Sequence, residues 1–364
     1  EVPSQKTSIF SKNDDWVPYV KGGEYRKWYG NKEYVIFWKN NGEDLKKSKA
    51  NLRSPHLYFK KTITWSALTS SKCSFRINDS LGLFDSAGSS MIPPSDKFNY
   101  ILGLMNSNLA DKILEIINPT LNYGAGSIGS FPLINPKEED KSVINFIVDQ
   151  NIKLSKEDWD SDETSWDFLY HKLKFGSNIS DVFNDYLNET IINYNVVKSN
   201  EEKLNMLFNK IYGLEEDVSF SVDDNYITYR VANAQRSIKS LISYLVGIEF
   251  GRYSLDYEGL SYGGGEWNPM MYITYQPDDD GIIPIYPKLG MSDSLTNRIF
   301  TLIKHIYGED SYRDNIDFIA TALGKNSNES SEETINRYLN DEFYIDHLKK
   351  YKKRPIYWMF SSGK

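Results

Sequence analysis

Apolar positions along the chain change period, from short β-type runs near the start to helical stripes later. Tyr34-Val35-Ile36-Phe37-Trp38 is β-branched and aromatic, and Asn40-Asn41-Gly42 follows it as a turn signal, so a strand and a turn are expected there. Shorter strand candidates lie at Leu57 to Phe59, Ile63 to Trp65 and Phe75 to Ile77. Ile101, Leu104, Met105, Leu109, Ile113 and Ile116 then recur at spacings of three and four, which predicts one helix from about Asp96 to Ile117. Asn118-Pro119 ends it, because a residue before proline is pushed out of the helical region.

The stretch Asn135 to Glu157 is charged and reads as a boundary or connecting helix. Beyond it, Leu204, Leu207, Phe208 and Ile211 form one helical face before Gly213, a candidate C-terminal cap. Ile238, Leu241, Ile242, Leu245 and Val246 form another before Gly251. Residues from Gly259 to Pro287 are rich in Gly, Pro, Tyr and Asp and predict a long irregular excursion. Helices are expected at Leu295 to Tyr307, Asn315 to Leu323 and Glu332 to Tyr351. The pattern predicts an α+β fold. A β-rich domain closed by a helix is expected at residues 1–135, a connector at 136–150 and a mostly helical domain at 151–364.

Composition narrows the class of protein. A chain of 364 residues buries enough surface to need no covalent staples, and Cys73 has no second cysteine to pair with. No run approaches the ~18 apolar residues of a membrane span, so a cytoplasmic, soluble piece of a longer protein is expected. The formal net charge of -8 argues against a uniformly basic nucleic-acid binder. Its distribution is uneven, however. Between Trp16 and Lys97 there are 14 Lys and Arg against 7 Asp and Glu, leaving 28 against 43 elsewhere.

Several short motifs have the look of chemistry without its context. Gly124-Ala125-Gly126-Ser127-Ile128-Gly129 has the spacing of a dinucleotide fingerprint, yet Asn118-Pro119 precedes it and Pro132 and Pro136 follow, where a strand and a helix are required. Asn268-Pro269-Met270-Met271 is similar to the Asn-Pro-Pro-aromatic motif of amino-methylating enzymes, but methionines cannot stack on a flipped base. Asp278-Asp279-Asp280-Gly281 lacks the closing glutamate of a calcium loop, since Pro287 stands there. The four histidines are scattered, with no zinc spacing. No catalytic, cofactor-binding or metal-binding residue is expected in these residues.

Basic residues interleaved with aromatics point instead to nucleic acid. In Lys21-Gly22-Gly23-Glu24-Tyr25-Arg26-Lys27-Trp28-Tyr29-Gly30-Asn31, cations suit phosphates and planar rings suit sugars or an exposed base. The alternative is a strand whose Tyr25 and Trp28 are core. A second cluster comprises Lys46, Lys47, Lys49 and Arg53, then Lys60-Lys61 and Ile63-Thr64-Trp65-Ser66. The DNA contacts expected are therefore Lys21, Arg26, Lys27, Trp28, Tyr29, Lys46, Lys47, Lys49, Arg53, Lys60, Lys61 and Trp65. A third group, Lys349, Lys350, Lys352, Lys353 and Arg354, also suits a helix C-terminus favoured by its dipole.

The same residues resemble the target-recognition region of PglX-type methyltransferases. The resemblance runs through Lys21 to Asn31, Ile63-Thr64-Trp65-Ser66 and Phe84-Asp85-Ser86-Ala87-Gly88-Ser89-Ser90. It continues through Tyr100 to Ser107, Ile117 to Asn122, Ile211-Tyr212-Gly213-Leu214, Leu241 to Tyr244 and Gly251 to Asp256, ending at Lys352 to Ser362. What the resemblance implies is methyl transfer from S-adenosylmethionine to adenine N6 in DNA, marking host sequence for a BREX phage-defence system. The family's catalytic motifs would lie upstream, in a methyltransferase domain of the same polypeptide, leaving this chain to grip and read double-stranded DNA. Other BREX proteins are further partners the resemblance implies. The rival expectation is a protein-interaction scaffold that docks other defence components through its acidic helical half.

Overall fold

The computed structural model describes residues 10–70 and 72–361. The fold is α+β. Among the described residues six short strands come first: β1 (Trp16–Val20), β2 (Val35–Phe37), β3 (Thr62–Trp65), β4 (Phe75–Asn78), β5 (Leu83–Phe84) and β6 (Ser90–Met91). They form two three-stranded sheets, ordered β2-β1-β5 and β4-β3-β6. In the second, β3 runs antiparallel to both neighbours, with Ile63 opposite Ile77 and Trp65 opposite Phe75. Between β2 and β3 lies α1 (Lys39–Lys47), whose start is distorted by left-handed Asn40, Asn41 and Gly42, in keeping with the turn expected there. A Cβ at Gly42 would strike the Trp38 ring.

Two sequence expectations in this region are corrected. Leu57 to Phe59 is not a strand: Leu57 closes a 3-10 turn, Pro55–Leu57, and Tyr58 and Phe59 continue as a turn in which Phe59 takes a left-handed φ of 60°. The single helix expected from Asp96 to Ile117 is two, α2 (Phe98–Met105) and α3 (Asn108–Ile117). Two polar residues make the break. Ser107 caps α3 by accepting from Ala110 N. Asn106 turns its amide onto Phe75, accepting from its N at 2.9 Å and donating to its O at 2.8 Å. The apolar period is unaffected by such a break, which is why periodicity alone missed it.

The helices continue with α4 (Ala125–Gly129), α5 (Glu138–Asp160), α6 (Ile179–Tyr212), α7 (Ala234–Glu249), α8 (Leu295–Tyr307), α9 (Tyr312–Ala322), α10 (Ser331–Arg337) and α11 (Phe343–Lys350). Helix α8 has the bounds its stripe predicts. The helix expected from Glu332 to Tyr351 is interrupted by a π-helical stretch, Tyr338–Glu342, between α10 and α11. Gly213 ends α6 with a left-handed φ of 67°, which its lack of a Cβ permits.

The chain forms two compact units that do not follow sequence blocks. One contains Glu1–Asp160 with Ile192–Arg230, the other Ser161–Ile191 with Val231–Lys364. Residues expected as a connector, 136–150, fall largely within α5, whose Ile144, Ile147 and Val148 join the core of the first unit. That core also takes Ile63, Trp65, Phe75 and Ile77 from the sheet and Leu204 and Phe208 from the later part of α6. The core of the second unit is built on Ile238, Leu241, Ile242 and Leu245 of α7 with Ile299, Leu302 and Ile303 of α8. Among the described residues no helix is long and apolar enough to cross a membrane.

Candidate nucleic-acid interface

Within residues 21–31, Trp28 alone makes a strand-like backbone bridge to β4. Trp28 N donates to Phe75 O and Ile77 N donates to Trp28 O, each at 2.9 Å, with Trp28 held at a φ of 70°. This pairing turns the cationic and aromatic side chains inward. Trp28, Tyr29 and Trp65 are essentially without solvent exposure, and Arg26 and Lys27 are buried as well. Each buried charge has a protein partner. Glu201 on α6 accepts from Lys27 Nζ at 2.7 Å and from Trp28 Nε1 at 2.8 Å. Burial works against the Lys27 charge, yet the Glu201 carboxylate holds its ammonium above the ordinary lysine value. Asp158 near the end of α5 accepts from Arg26 Nη2 at 2.5 Å and from Arg230 Nε at 3.0 Å.

The Arg26 guanidinium also lies over the Trp159 ring at 5.0 Å, and its Nε donates to Tyr29 O at 2.8 Å. Gly30, at a φ of 134°, is required beneath it, because a Cβ there would collide with Arg26 and Trp159. The Tyr29 hydroxyl oxygen accepts from Lys32 Nζ at 2.9 Å and Lys156 Nζ at 3.2 Å, and Trp65 Nε1 donates to Tyr123 O at 2.7 Å. The expectation that Arg26, Lys27, Trp28, Tyr29 and Trp65 meet DNA is therefore corrected. Their polar atoms are bound within the unit and their rings are core, so they build the domain rather than reach out of it.

The second cluster has the opposite placement. Lys46, Lys47, Lys49, Arg53, Lys60 and Lys61 are all exposed, as is Lys21. From Leu45 to Asn78 the chain has eight Lys and Arg and no Asp or Glu. Leu45 and Leu52 pack on a small core of Val17, Trp38, Tyr58 and Leu83, which anchors this stretch while its cations face out. Lys47 pairs with Glu43 at 2.7 Å, an exposed ion pair that contributes little. Lys46 lies over the Trp38 ring, Lys61 over Phe98 and Lys21 over Tyr34. Among the described residues, Lys49, Arg53 and Lys60 have no ion-pair partner. Such a local excess of exposed cations over carboxylates is the arrangement that attracts a polyanion.

The third cluster divides. Lys350 is held by Glu163 at 3.0 Å and Lys349 lies 3.9 Å from Asp346, whereas Lys353 and Arg354 are exposed.

The other motifs resolve into local structure. Gly124 is the N-cap of the short helix α4, and a Cβ on Gly124, Gly126 or Gly129 would meet open space. Asn268 accepts from Met270 N at 3.1 Å and caps a 3-10 turn. Asp278 accepts from Gly281 N at 2.9 Å and pairs with Arg298.

Two curated relatives match 97% of this chain. One is "Adenine-specific methyltransferase PglX" of Lacticaseibacillus casei (strain Zhang), 38% identical. The other is "Adenine-specific methyltransferase BrxX" of Escherichia coli O9:H4 (strain HS), 36% identical. The chain is homologous to a part of the PglX-type methyltransferases. It spans 31% of the length of each of these two relatives. No family model matches it. Identity at this level over almost the whole chain extends the PglX-type resemblance through both compact units, so it is not carried by the basic segments alone.

Proposed function

We propose that this chain is the DNA target-recognition part of an adenine-N6 DNA methyltransferase of a BREX phage-defence system. Methyl transfer from S-adenosylmethionine belongs, in this reading, to a methyltransferase domain elsewhere in the same polypeptide. The observation that carries the proposal is the exposed, acid-free run of cations from Lys46 to Lys61 on a chain otherwise rich in acid. The relatives' description as adenine-specific methyltransferases supports it, since such an enzyme must hold DNA. The proposed contacts narrow to Lys21, Lys46, Lys47, Lys49, Arg53, Lys60 and Lys61, which position the duplex through its phosphates. Partners are double-stranded DNA, the methyltransferase domain and other BREX proteins. The chain by itself holds no cofactor and transfers no methyl group.

Retention of duplex DNA, followed by anisotropy between roughly 50 and 200 mM salt, tests this directly. Charge reversal at Lys46, Lys47 and Lys49 is expected to weaken binding to every sequence and to flatten the salt dependence by about 0.9 log units for each phosphate no longer neutralised. Reversal at Lys349, Lys350 and Lys352 is expected to do less. Equal losses from both clusters would move the DNA path onto the second unit. Indifference to DNA, with retention of other BREX proteins, would favour a docking scaffold. Calorimetric S-adenosylmethionine binding at micromolar concentration would show that the catalytic pocket had been misplaced.

Specificity is tested by exchange between relatives with different targets. Because Arg26 and Lys27 are held by Asp158 and Glu201, the exchanged piece must carry residues 192–230 together with 10–160. Methylation by the full-length chimera is expected to move to the donor's target. A folded, active chimera that keeps its old target would place recognition in the second unit.

A further inference from the structure

The sheet β4-β3-β6 has one apolar and one polar face. Ile63, Trp65, Phe75 and Ile77 point into the core, so the alternation of side chains puts Thr62, Thr64, Arg76 and Asn78 together on the other side. All four are buried, Arg76 and Thr62 to 1% exposure. Thr64 and Asn78 are satisfied, by Ser89 O at 2.9 Å and by the Ser80 hydroxyl at 2.8 Å. Among the described residues, Arg76 Nη1 and Nη2 and Thr62 Oγ1 have no hydrogen-bond partner.

Arg76 stands apart from the other buried cations of this unit. Arg26 has Asp158, Lys27 has Glu201 and Lys32 has Asp79. Burial pulls the Arg76 guanidinium down to about 10, which still leaves it charged at neutral pH. Its neighbours do not balance that charge. Cys73 favours it electrostatically, but burial pushes the thiol up to about 12, so it is neutral. Arg26 repels it, and Glu33 favours it without bonding to Nη1 or Nη2. A buried guanidinium left in this state is strongly destabilising unless something neutralises it. Water would satisfy the donors but not the charge.

We propose that the polar face of this sheet encloses a small monovalent anion of the halide class, held by Arg76 Nη1 and Nη2 and the Thr62 hydroxyl. All the unpartnered groups named are donors, so the ligand is an acceptor; the uncompensated charge is single, so one negative charge balances it. A multivalent oxyanion would require more donors and would be dehydrated at far greater cost.

Bromide is the probe, used with the 364-residue chain. Crystals grown in sodium bromide are expected to show an anomalous peak beside Arg76 and Thr62. In solution, Tm is expected to rise saturably when bromide replaces gluconate at constant ionic strength, as for a ligand that binds only the folded state. Arg76→Met should abolish the rise. Thr62→Val keeps the charge and is expected to raise the half-effect concentration about tenfold, the size of a missing hydrogen bond to a charged group. If Arg76→Met does not fold, Thr62→Val decides. A water or the Glu33 carboxylate on Arg76 in place of bromide would overturn the proposal. So would a bromide effect identical in wild type and Thr62→Val, or a crystal peak with no effect in solution.

Discussion

Residues 21–31 and 46–61 both set lysines and arginines beside aromatics, and they have opposite fates. In the first, Arg26 and Lys27 are buried against Asp158 and Glu201. In the second, Lys49, Arg53 and Lys60 face solvent with no ion-pair partner among the described residues. Cations beside aromatics do not separate the two. The supply of acid from elsewhere in the chain does, because a buried cation is stable only when a hydrogen-bonding anion is brought to it. A basic-aromatic segment is thus a binding surface only where the fold leaves its charges unanswered.

The largest effect should come from removing an anion in the first segment. Glu201→Ala strands Lys27 and leaves Trp28 Nε1 without its acceptor. A loss of roughly 3–5 kcal/mol is expected by urea denaturation, while replacing Lys27 and Glu201 together by Met and Leu should recover most of it. A loss under about 1 kcal/mol would mean that Lys27 reaches water and that the two segments do not differ as described.

Buried titratable groups of the second unit extend the contrast to pH. Burial lowers His171 to about 3 and His347 to about 4, so both are neutral when folded. The unfolded chain takes up these protons from about pH 6.5 downward while the folded chain does not. Stability is therefore undiminished by them above about pH 6.5 and falls as pH drops through 6 to 4, with the loss complete near pH 3. Histidine NMR signals that stay in the neutral form at pH 5 would bear this out; protonation of either ring at pH 6 would contradict it.

A smaller effect is expected at Gly30. Alanine there meets Arg26 and Trp159 and must adopt a φ of 134°, so a loss of about 1–3 kcal/mol should appear in thermal unfolding. Smallest of all is the exposed segment. Charge reversal at Lys46, Lys47 and Lys49 should change stability by no more than about 0.5 kcal/mol, with an unchanged far-ultraviolet spectrum. Unfolding of that variant would show that these lysines support the fold and would remove the basis for reading them as an interface.

Part of the first segment's burial was legible. In α6, Glu201 lies in line with Val197, Leu204 and Phe208, an acid within an apolar stripe, and all four are buried. Such an interruption announces a buried carboxylate in search of a cation. Its partner, Lys27, lies 174 residues away, and nothing local names it. The break between α2 and α3 is similar. Ser107 is a readable cap, but the engagement of Asn106 with Phe75 needed the sheet to be in place.

By itself, the sequence determined the element types with the strongest periods, the bounds of α8, the α+β class and the uneven charge, since local propensity and apolar spacing act over a few turns. It also determined the kinship, because identity accumulates along the whole chain. Tertiary structure alone decided which cations are available. That choice depends on desolvation and on carboxylates delivered by α5 and α6 from far along the chain, and long-range pairing leaves no mark in the composition of either segment.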